Sequence, residues 1–417
     1  MRYSIATGLA ALTLASATPC PQPPTADPIA RIDVGPRPGF LVDDMDEGSL
    51  KEELKECLAS PEPLKASTLS AGHRGGGTLF IPEHTLESAM AGARMGAGYL
   101  ECDVAFTKDR ELVCRHAQCD LHYTTNILTI PELAAKCTKP FTPADGDEPA
   151  DALCCTSDIT LKEFKTLCAT MEGSDPKATT PEEFIDAPPS WRTDLYSTCG
   201  TVLTLQDHIS LTESLGLLHM PELKTPEVEM PYEGDYTQED YAQQIIDEYK
   251  DAGVTADKVW LQSFLYDDIL YWLEAEPEWG AQATFLDSYG ETPETFPDAI
   301  ANLTNYAADG VKYLAPPIPY LLAAEDGKIV PSEYATKAMD LGFKMVAWSL
   351  ERSGRLADVD ANGQYYYMYF SEAINNDGDV YNAVDVMVRE IGIVSLFSDW
   401  AGTVTFYANC FGIGLMD

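Results

Sequence analysis

Basic residues are scarce in this chain. Twenty-seven Lys and Arg stand against 67 Asp and Glu, a formal net charge of -40. That imbalance excludes a nucleic-acid binder, because such binding rests on neutralising phosphates with Lys and Arg. It equally opposes docking on an anionic membrane surface. Histidine is rarer still, with six in 417 residues, so any pair of them near other polar groups narrows the search for chemistry. Beyond the N-terminus no run is long and apolar enough for a membrane helix. Paired C-x-x-C sets are missing, which removes a structural zinc module, and no internal repeat is visible. What the chain does hold is apolar sequence, 45% of it hydrophobic. That suffices for one large core or two modest ones and is too much for a disordered chain.

The N-terminus reads Met1-Arg2, an apolar run from Ile5 to Leu14, then Ala15-Ser16-Ala17. A basic start, a short apolar stretch and an A-x-A exit are the parts of a secretory signal peptide, so residues 1–17 are expected to direct secretion to an extracellular or periplasmic space. The alternative is a buried first helix. Eleven cysteines suit an oxidising compartment, where most should pair. The number is odd, so at least one is free or bonds another molecule, and the neighbours Cys154 and Cys155 should each have a separate partner. Asn302-Leu303-Thr304 is one glycosylation acceptor in a eukaryotic secretory pathway.

Residues 18–66 form a lead-in: a Pro-, Asp- and Gly-rich extended stretch to 48, then a short amphipathic helix at 49–59. A rhythm of β-prone runs and helical patterns follows, which predicts βα units and a parallel sheet. Nine strands are expected: Thr68–Gly72, Gly98–Val104, Leu112–His116, Leu217–Lys224, Lys258–Phe264, Ala283–Leu286, Val311–Ala315, Lys344–Leu350 and Ile393–Ser398. Helical patterns lie at Thr85–Met95, Leu205–Leu215, Tyr236–Ala252, Tyr266–Ala275, Pro331–Leu341 and Asn382–Ile391. Nine exceeds an eight-stranded barrel by one, so one strand is a hairpin partner or an excursion, with Lys108-Asp109-Arg110 as the turn. An open doubly wound sheet is the alternative. The closed α/β barrel is preferred because polar residues recur at strand C-terminal ends: His73, Asp103, Lys224, Ser263, Asp287, Ser349 and Asp399. The barrel is expected over 67–406, with a cysteine-rich insertion at about 117–200 capping one end and a tail at 407–417. A second interruption, 351–379, carries Tyr365-Tyr366-Tyr367-Met368-Tyr369-Phe370. It reads either as an ordinary packing strand or as an apolar wall over a site.

Glu101 and Asp103, at i and i+2 on a strand, share a face. Two carboxylates that close repel unless a cation sits between them, and hard oxygen ligands suit Mg²⁺ or Ca²⁺. Glu222 and Lys224 repeat the spacing on a later strand. Glu222 can complete a three-carboxylate cradle and Lys224 can meet a phosphate oxygen, or the two simply pair within the strand. His73 and His116 each end an apolar run, and imidazoles titrate near neutral pH. Phosphodiester cleavage needs a base for the attacking oxygen and an acid for the departing alkoxide. Arg74 offers a planar fork for phosphate, and Gly75-Gly76-Gly77 lets backbone N–H groups approach it. A metal together with Arg74 and Lys224 reverses the acidic field locally. His84, His122, His208 and His219 are assigned to surface or core.

Taken together, Gly72-His73-Arg74-Gly75, Pro82-Glu83-His84-Thr85, Glu101-Cys102-Asp103-Val104, Thr107-Lys108-Asp109 and Val113-Cys114-Arg115-His116 resemble the glycerophosphodiester phosphodiesterase family. Weaker echoes follow at Glu222-Leu223-Lys224, Gln262-Ser263-Phe264, Ala347-Trp348-Ser349 and Ser398-Asp399-Trp400. The resemblance implies a (β/α)8 TIM barrel of the phospholipase-C-like type with a small insertion. It implies Glu101, Asp103 and Glu222 as ligands of a divalent metal, and His73 and His116 as the acid–base pair. Arg74, Lys224 and Trp348 would bind substrate. His84 stands where the family has Asn, and Ala117 where an acidic residue is common. The implied activity is metal-dependent hydrolysis of small-molecule glycerophosphodiesters to an alcohol and sn-glycerol 3-phosphate, in lipid and glycerol metabolism. Two alternatives stand beside it: a lysophospholipase D or sphingomyelinase-D-like activity on acylated lipids, and a non-catalytic secreted barrel protein.

Overall fold

The structure, a computed structural model, describes residues 24–60, 62–196, 199–359 and 365–416. The signal-peptide reading of residues 1–17 and Cys20 lie outside them. Strand β1 (Ser67–Gly72) and strand β2 (Ala97–Phe106) are buried almost throughout, as a strand must be with helices on one side and a filled barrel on the other. Strand β3 (Leu112–Cys114) runs antiparallel to β2, pairing Val104 with Cys114 and Phe106 with Leu112. It is the ninth strand and the hairpin partner. Its turn places Arg110 at a φ of 64° and closes with Thr107 N–H donating to Glu111 O at 3.0 Å. The remaining strands of this sheet are β4 (Leu218–Leu223), β5 (Gln262–Ser263), β6 (Thr284–Leu286), β7 (Tyr313–Ala315), β8 (Lys344–Leu350) and β9 (Ser395–Ser398), and three two-stranded sheets lie outside it. Parallel pairing runs β1-β2-β4-β5-β6-β7-β8-β9 and returns to β1, so eight parallel strands close a barrel.

Helix α1 (Arg37–Asp44) lies within the stretch expected to be extended, and α2 (Ser49–Leu58) follows it. The outer layer is α3 (Leu86–Arg94), α4 (Leu205–Leu215), α5 (Gln238–Asp251), α6 (Tyr266–Ala275), α7 (Phe296–Ala308), α8 (Glu333–Asp340), α9 (Asp379–Asp385) and α10 (Ala401–Phe411). Threonine caps start three of them: Thr85, Thr204 and Thr237 each accept from a backbone N–H one turn on, satisfying an otherwise orphaned donor. Helix α10 crosses the expected boundary at 406/407, and the Cys57–Cys410 disulfide ties it to α2.

The interruption at 117–200 folds around its own apolar cluster, which includes Leu121, Ile127, Phe164 and Phe184. Three disulfides hold it: Cys119–Cys155, Cys137–Cys154 and Cys168–Cys199. A fifth, Cys102–Cys114, staples β2 to β3. Cys154 and Cys155 have separate partners, as their adjacency demands.

Candidate active site

Register brings the carboxylates together. Asp103 on β2 lies opposite Glu222 on β4, and Glu101 lies two residues back on the same face as Asp103. One ligand oxygen from each of Glu101, Asp103 and Glu222 falls within 4.8 Å of the others, and all three are buried. Asp103 Oδ1 is buried with no hydrogen-bond partner among the described residues. Burial, then Asp103 and Glu222, push the Glu101 carboxyl well above its ordinary range. Burial likewise raises Glu222 to about 7, although Lys224 opposes it. Three buried carboxylates in mutual repulsion with an unsatisfied oxygen fit a cation, and this trio can hold a metal ion. Lys224 Nζ meets Glu222 Oε1 at 2.6 Å, so the intrastrand pair exists alongside the cradle. Its ammonium also lies 5.6 Å from the centre of the Phe264 ring.

His73 follows the last residue of β1. Its Nδ1 meets Asp399 Oδ1 at 2.5 Å, and its Nε2 lies 3.2 Å from Ser349 Oγ. Burial lowers the His73 pKa to about 4. Asp399 opposes this, and Arg74 and Arg352 add to it. His116, just beyond β3, is pushed well below the ordinary histidine range by burial and then by Arg74 and Lys224. Both rings are therefore neutral near pH 7. They share a cavity of about 270 Å³ with the acidic trio, Arg74 and Trp348. Tyr365 and Tyr366 line the same cavity, whereas Tyr367 and Phe370 pack into the core. The aromatic run is a short 3₁₀ turn at Tyr365–Tyr367, not a strand, and it supplies part of the wall.

Two expectations need correction. Two of the three N–H groups of the glycine run are engaged within the protein rather than free for a phosphate. Gly76 N–H donates to His73 O at 2.9 Å and Gly77 N–H to Ser88 Oγ at 3.3 Å. The glycines let α3 approach: a Cβ on Gly92 would sit 2.0 Å from Gly75 O. His84 is not a bystander either. It is buried, and its Nε2 is 2.9 Å from Asp103 Oδ2, so it holds one oxygen of a carboxylate in the trio.

Other groups of the site escaped the sequence reading. Arg74 N–H donates to Glu101 Oε2 at 2.6 Å, while its guanidinium bonds Glu83 Oε2 at 2.6 Å. Arg192 and Arg352 each reach Asp399 Oδ2 at 2.8 Å and also pair with Glu172, at 2.6 and 2.7 Å. Arg192 and Glu172 belong to the insertion, so it sits over the C-terminal ends of the barrel strands. Asp399 is marked in the sequence as a polar strand end and by the weak Ser398-Asp399-Trp400 echo. Glu83 lies inside the P-E-H-T motif and Arg352 two residues beyond β8, which were the available signals. Glu172 and Arg192 carry none.

The family model for the glycerophosphoryl diester phosphodiesterase family matches residues 73–386. A curated protein of Arthroderma benhamiae, named only as an extracellular protein, is 46% identical over 245 residues, 58% of this chain and 100% of that protein. Two solved structures of candidate glycerophosphoryl diester phosphodiesterases share the fold. The one from Silicibacter pomeroyi has a TM-score of 0.51 at 17% identity and covers 87% of this chain and 99% of its own. The one from Agrobacterium tumefaciens has a TM-score of 0.51 at 16% identity and covers 82% and 97%. With the barrel, the acidic trio and the two histidines in place, the chain belongs to the glycerophosphoryl diester phosphodiesterase family and is a phosphodiesterase enzyme.

Proposed function

We propose that this enzyme is secreted and uses a divalent metal, Mg²⁺ or Ca²⁺, to hydrolyse glycerophosphodiesters to an alcohol and sn-glycerol 3-phosphate. The observation that carries the reading is the convergence of Glu101, Asp103 and Glu222 with His73 and His116 on one cavity. The three carboxylates would hold the cation. When bound, it supplies positive charge that binds a phosphate oxygen and offsets negative charge developing in the transition state.

The chain's own groups do the proton work. Asp399 accepts from His73 Nδ1, which fixes the ring and leaves Nε2, 3.2 Å from Ser349 Oγ, as the acceptor nitrogen. A neutral Nε2 accepts a proton from the attacking oxygen, and the second imidazole, protonated once the diester anion lies beside it, delivers one to the departing alcohol. A diester anion lying between the rings raises the proton affinity of both. Lys224 and Arg74 add positive charge beside the phosphate, and Trp348 bounds the substrate on its apolar side. Secretion is supported by five disulfides and by the similar protein named as extracellular. Residues 1–17 would be the signal peptide and 67–406 the barrel.

Turnover of glycerophosphodiesters should vanish in excess chelator and return on adding Mg²⁺ or Ca²⁺. Full turnover in chelator rules the metal out. His116→Ala should lower kcat by on the order of 100-fold or more while the protein stays folded. Parallel assays with deacylated and monoacylated substrates distinguish this reading from a lysophospholipase D.

A further inference from the structure

His73 is held from both sides. Asp399 Oδ1 lies 2.5 Å from Nδ1, and Ser349 Oγ stands 3.2 Å from Nε2. Asp399 has the task of fixing the ring, whereas Ser349 has none in the reaction described above. Strand geometry explains how Ser349 reaches the histidine. Ala347 of β8 pairs with Leu396 of β9, yet the next pair is Leu350 with Ser398. Three steps on β8 therefore span two on β9, with Trp348 and Ser349 in the irregular stretch. Neighbours on a regular strand face opposite sides, and an extra residue re-aims them. Here Trp348 lines the cavity while the next residue meets the His73 ring that lines it too. Asp399 N–H donates to Leu350 O at 3.1 Å, which ties the two partners of His73 together. Burial raises the Asp399 carboxyl, but Arg352, His73 and Arg192 outweigh it and hold it well below the ordinary range. An ionised carboxylate only accepts, so Nδ1 carries the hydrogen and Nε2 is bare. Ser349 is then the donor to Nε2. Its hydroxyl occupies the one lone pair with which His73 can act as a base.

We propose that Ser349 is a proton relay between the attacking oxygen and His73. The proposal rests on the phosphodiesterase reading of the same site. As the oxygen attacks phosphorus, its proton passes to Ser349 Oγ while the Ser349 proton passes to His73 Nε2. The electron pair of the broken O–H bond remains on the attacking oxygen, which forms the new bond to phosphorus. Serine ends neutral with its proton replaced, and the imidazole ends as imidazolium beside the ionised Asp399. A serine hydroxyl both donates and accepts, so it can pass a proton without carrying a charge. Tyr366 is a lining residue of the cavity, and its hydroxyl stands beside Ser349. Ser349 Oγ is therefore at the cavity wall, although the residue as a whole is only 1% exposed. Aspartate, histidine and serine in this order also activate serine nucleophiles. In that case a phosphoserine would form, which the test detects.

The test compares the Mg²⁺-loaded native protein with Ser349→Ala and Ser349→Thr on glycerophosphocholine. Ser349→Ala should lower kcat by on the order of tenfold or more and leave KM within about twofold, because a lost proton path is a loss in the transition state. Ser349→Thr keeps the hydroxyl and should retain most of kcat. In mixtures of light and heavy water the native kcat should fall along a curve, as two protons move together. That of Ser349→Ala should fall along a straight line. Nitrogen NMR of His73 reads the contact without turnover. Nε2 should show an unprotonated nitrogen accepting a hydrogen bond, a signature lost in Ser349→Ala and kept in Ser349→Thr. Unchanged kcat and an unchanged curve in Ser349→Ala overturn the relay and leave the phosphodiesterase standing. Equal losses in both variants with the curve intact mark a structural part only and overturn it too. So does a protonated Nε2 in the native protein, or a phosphoserine at 349 in the mass of the quenched enzyme. No turnover of any glycerophosphodiester by the native protein overturns the phosphodiesterase reading, and the relay with it.

Discussion

His84 occupies a turn position whose φ of 53° lies in the left-handed region. Asn adopts that region more readily than most residues, and the resemblance sets Asn there. Histidine reaches further, and its Nε2 donates to Asp103 Oδ2 at 2.9 Å. Burial lowers the His84 pKa, so the ring is neutral and donates through one nitrogen. A partner that fixes one oxygen of a ligating carboxylate aims the other at the metal, and Asp103 Oδ1 is the atom left without a bond. His84→Ala should therefore weaken Mg²⁺ or Ca²⁺ binding by about 10–100-fold. His84→Asn should retain more of the affinity. Calorimetric titration of the two variants checks both, and an unchanged dissociation constant in His84→Ala removes the role. Glu101 and Asp103 were legible because an E-x-D on a strand fixes one face. His84 was not, because its importance comes from a contact 19 residues along the chain.

At the scale of elements, legibility followed pattern strength. All nine strands of the barrel sheet could be read, including the surplus one, because strand runs bounded by turn residues are distinctive, whereas the short strands of the three two-stranded sheets were not. Helix α10 could not be read, because nearly all of it is buried and no polar stripe marks a helical period. Helix α7 escaped although Pro297 and Asp298 in its first turn are start signals. The β2–β3 hairpin joins the two kinds of site residue, since β2 carries Glu101 and Asp103 and β3 leads into His116. Arg115 N–H donates to Asp103 O at 2.7 Å, extending the pairing past the last strand residue. Cys102–Cys114 locks that hairpin across a sequence separation of 12, with both sulfurs buried. In the chain-entropy description a loop of this size contributes about 3 kcal/mol. Replacing both cysteines by alanine should lower the unfolding free energy by about that much in denaturant titrations. Activity per folded molecule should fall too, as His116 gains freedom relative to the trio.

Over the whole molecule, the insertion is fastened to the barrel by charge. Arg74 and Arg352 from the barrel face Glu172 of the insertion, and Arg192 of the insertion faces Asp399 of the barrel. Both insertion residues lie in the segment closed by Cys168–Cys199. Composition and disulfide content announced a pinned cap, but no local pattern says which of its charges meet the barrel. Glu83 sits at the centre of this cluster, 2.6 Å from Arg74 and 3.7 Å from Arg352. Burial raises its pKa, yet Arg74 and Arg352 outweigh that and bring it to about 2, from 4.5. A carboxyl depressed on folding stabilises the folded state fully above its unfolded pKa. That contribution is lost as pH falls toward the folded pKa, because the unfolded chain takes up the proton first. Acidification from about 4.5 to 2 should therefore remove on the order of 3 kcal/mol attributable to Glu83. In urea titrations across that window, Glu83→Gln should start less stable than the native chain and show a shallower loss with falling pH, by close to one proton. Parallel slopes for the two proteins mean that the cluster does not hold Glu83 ionised.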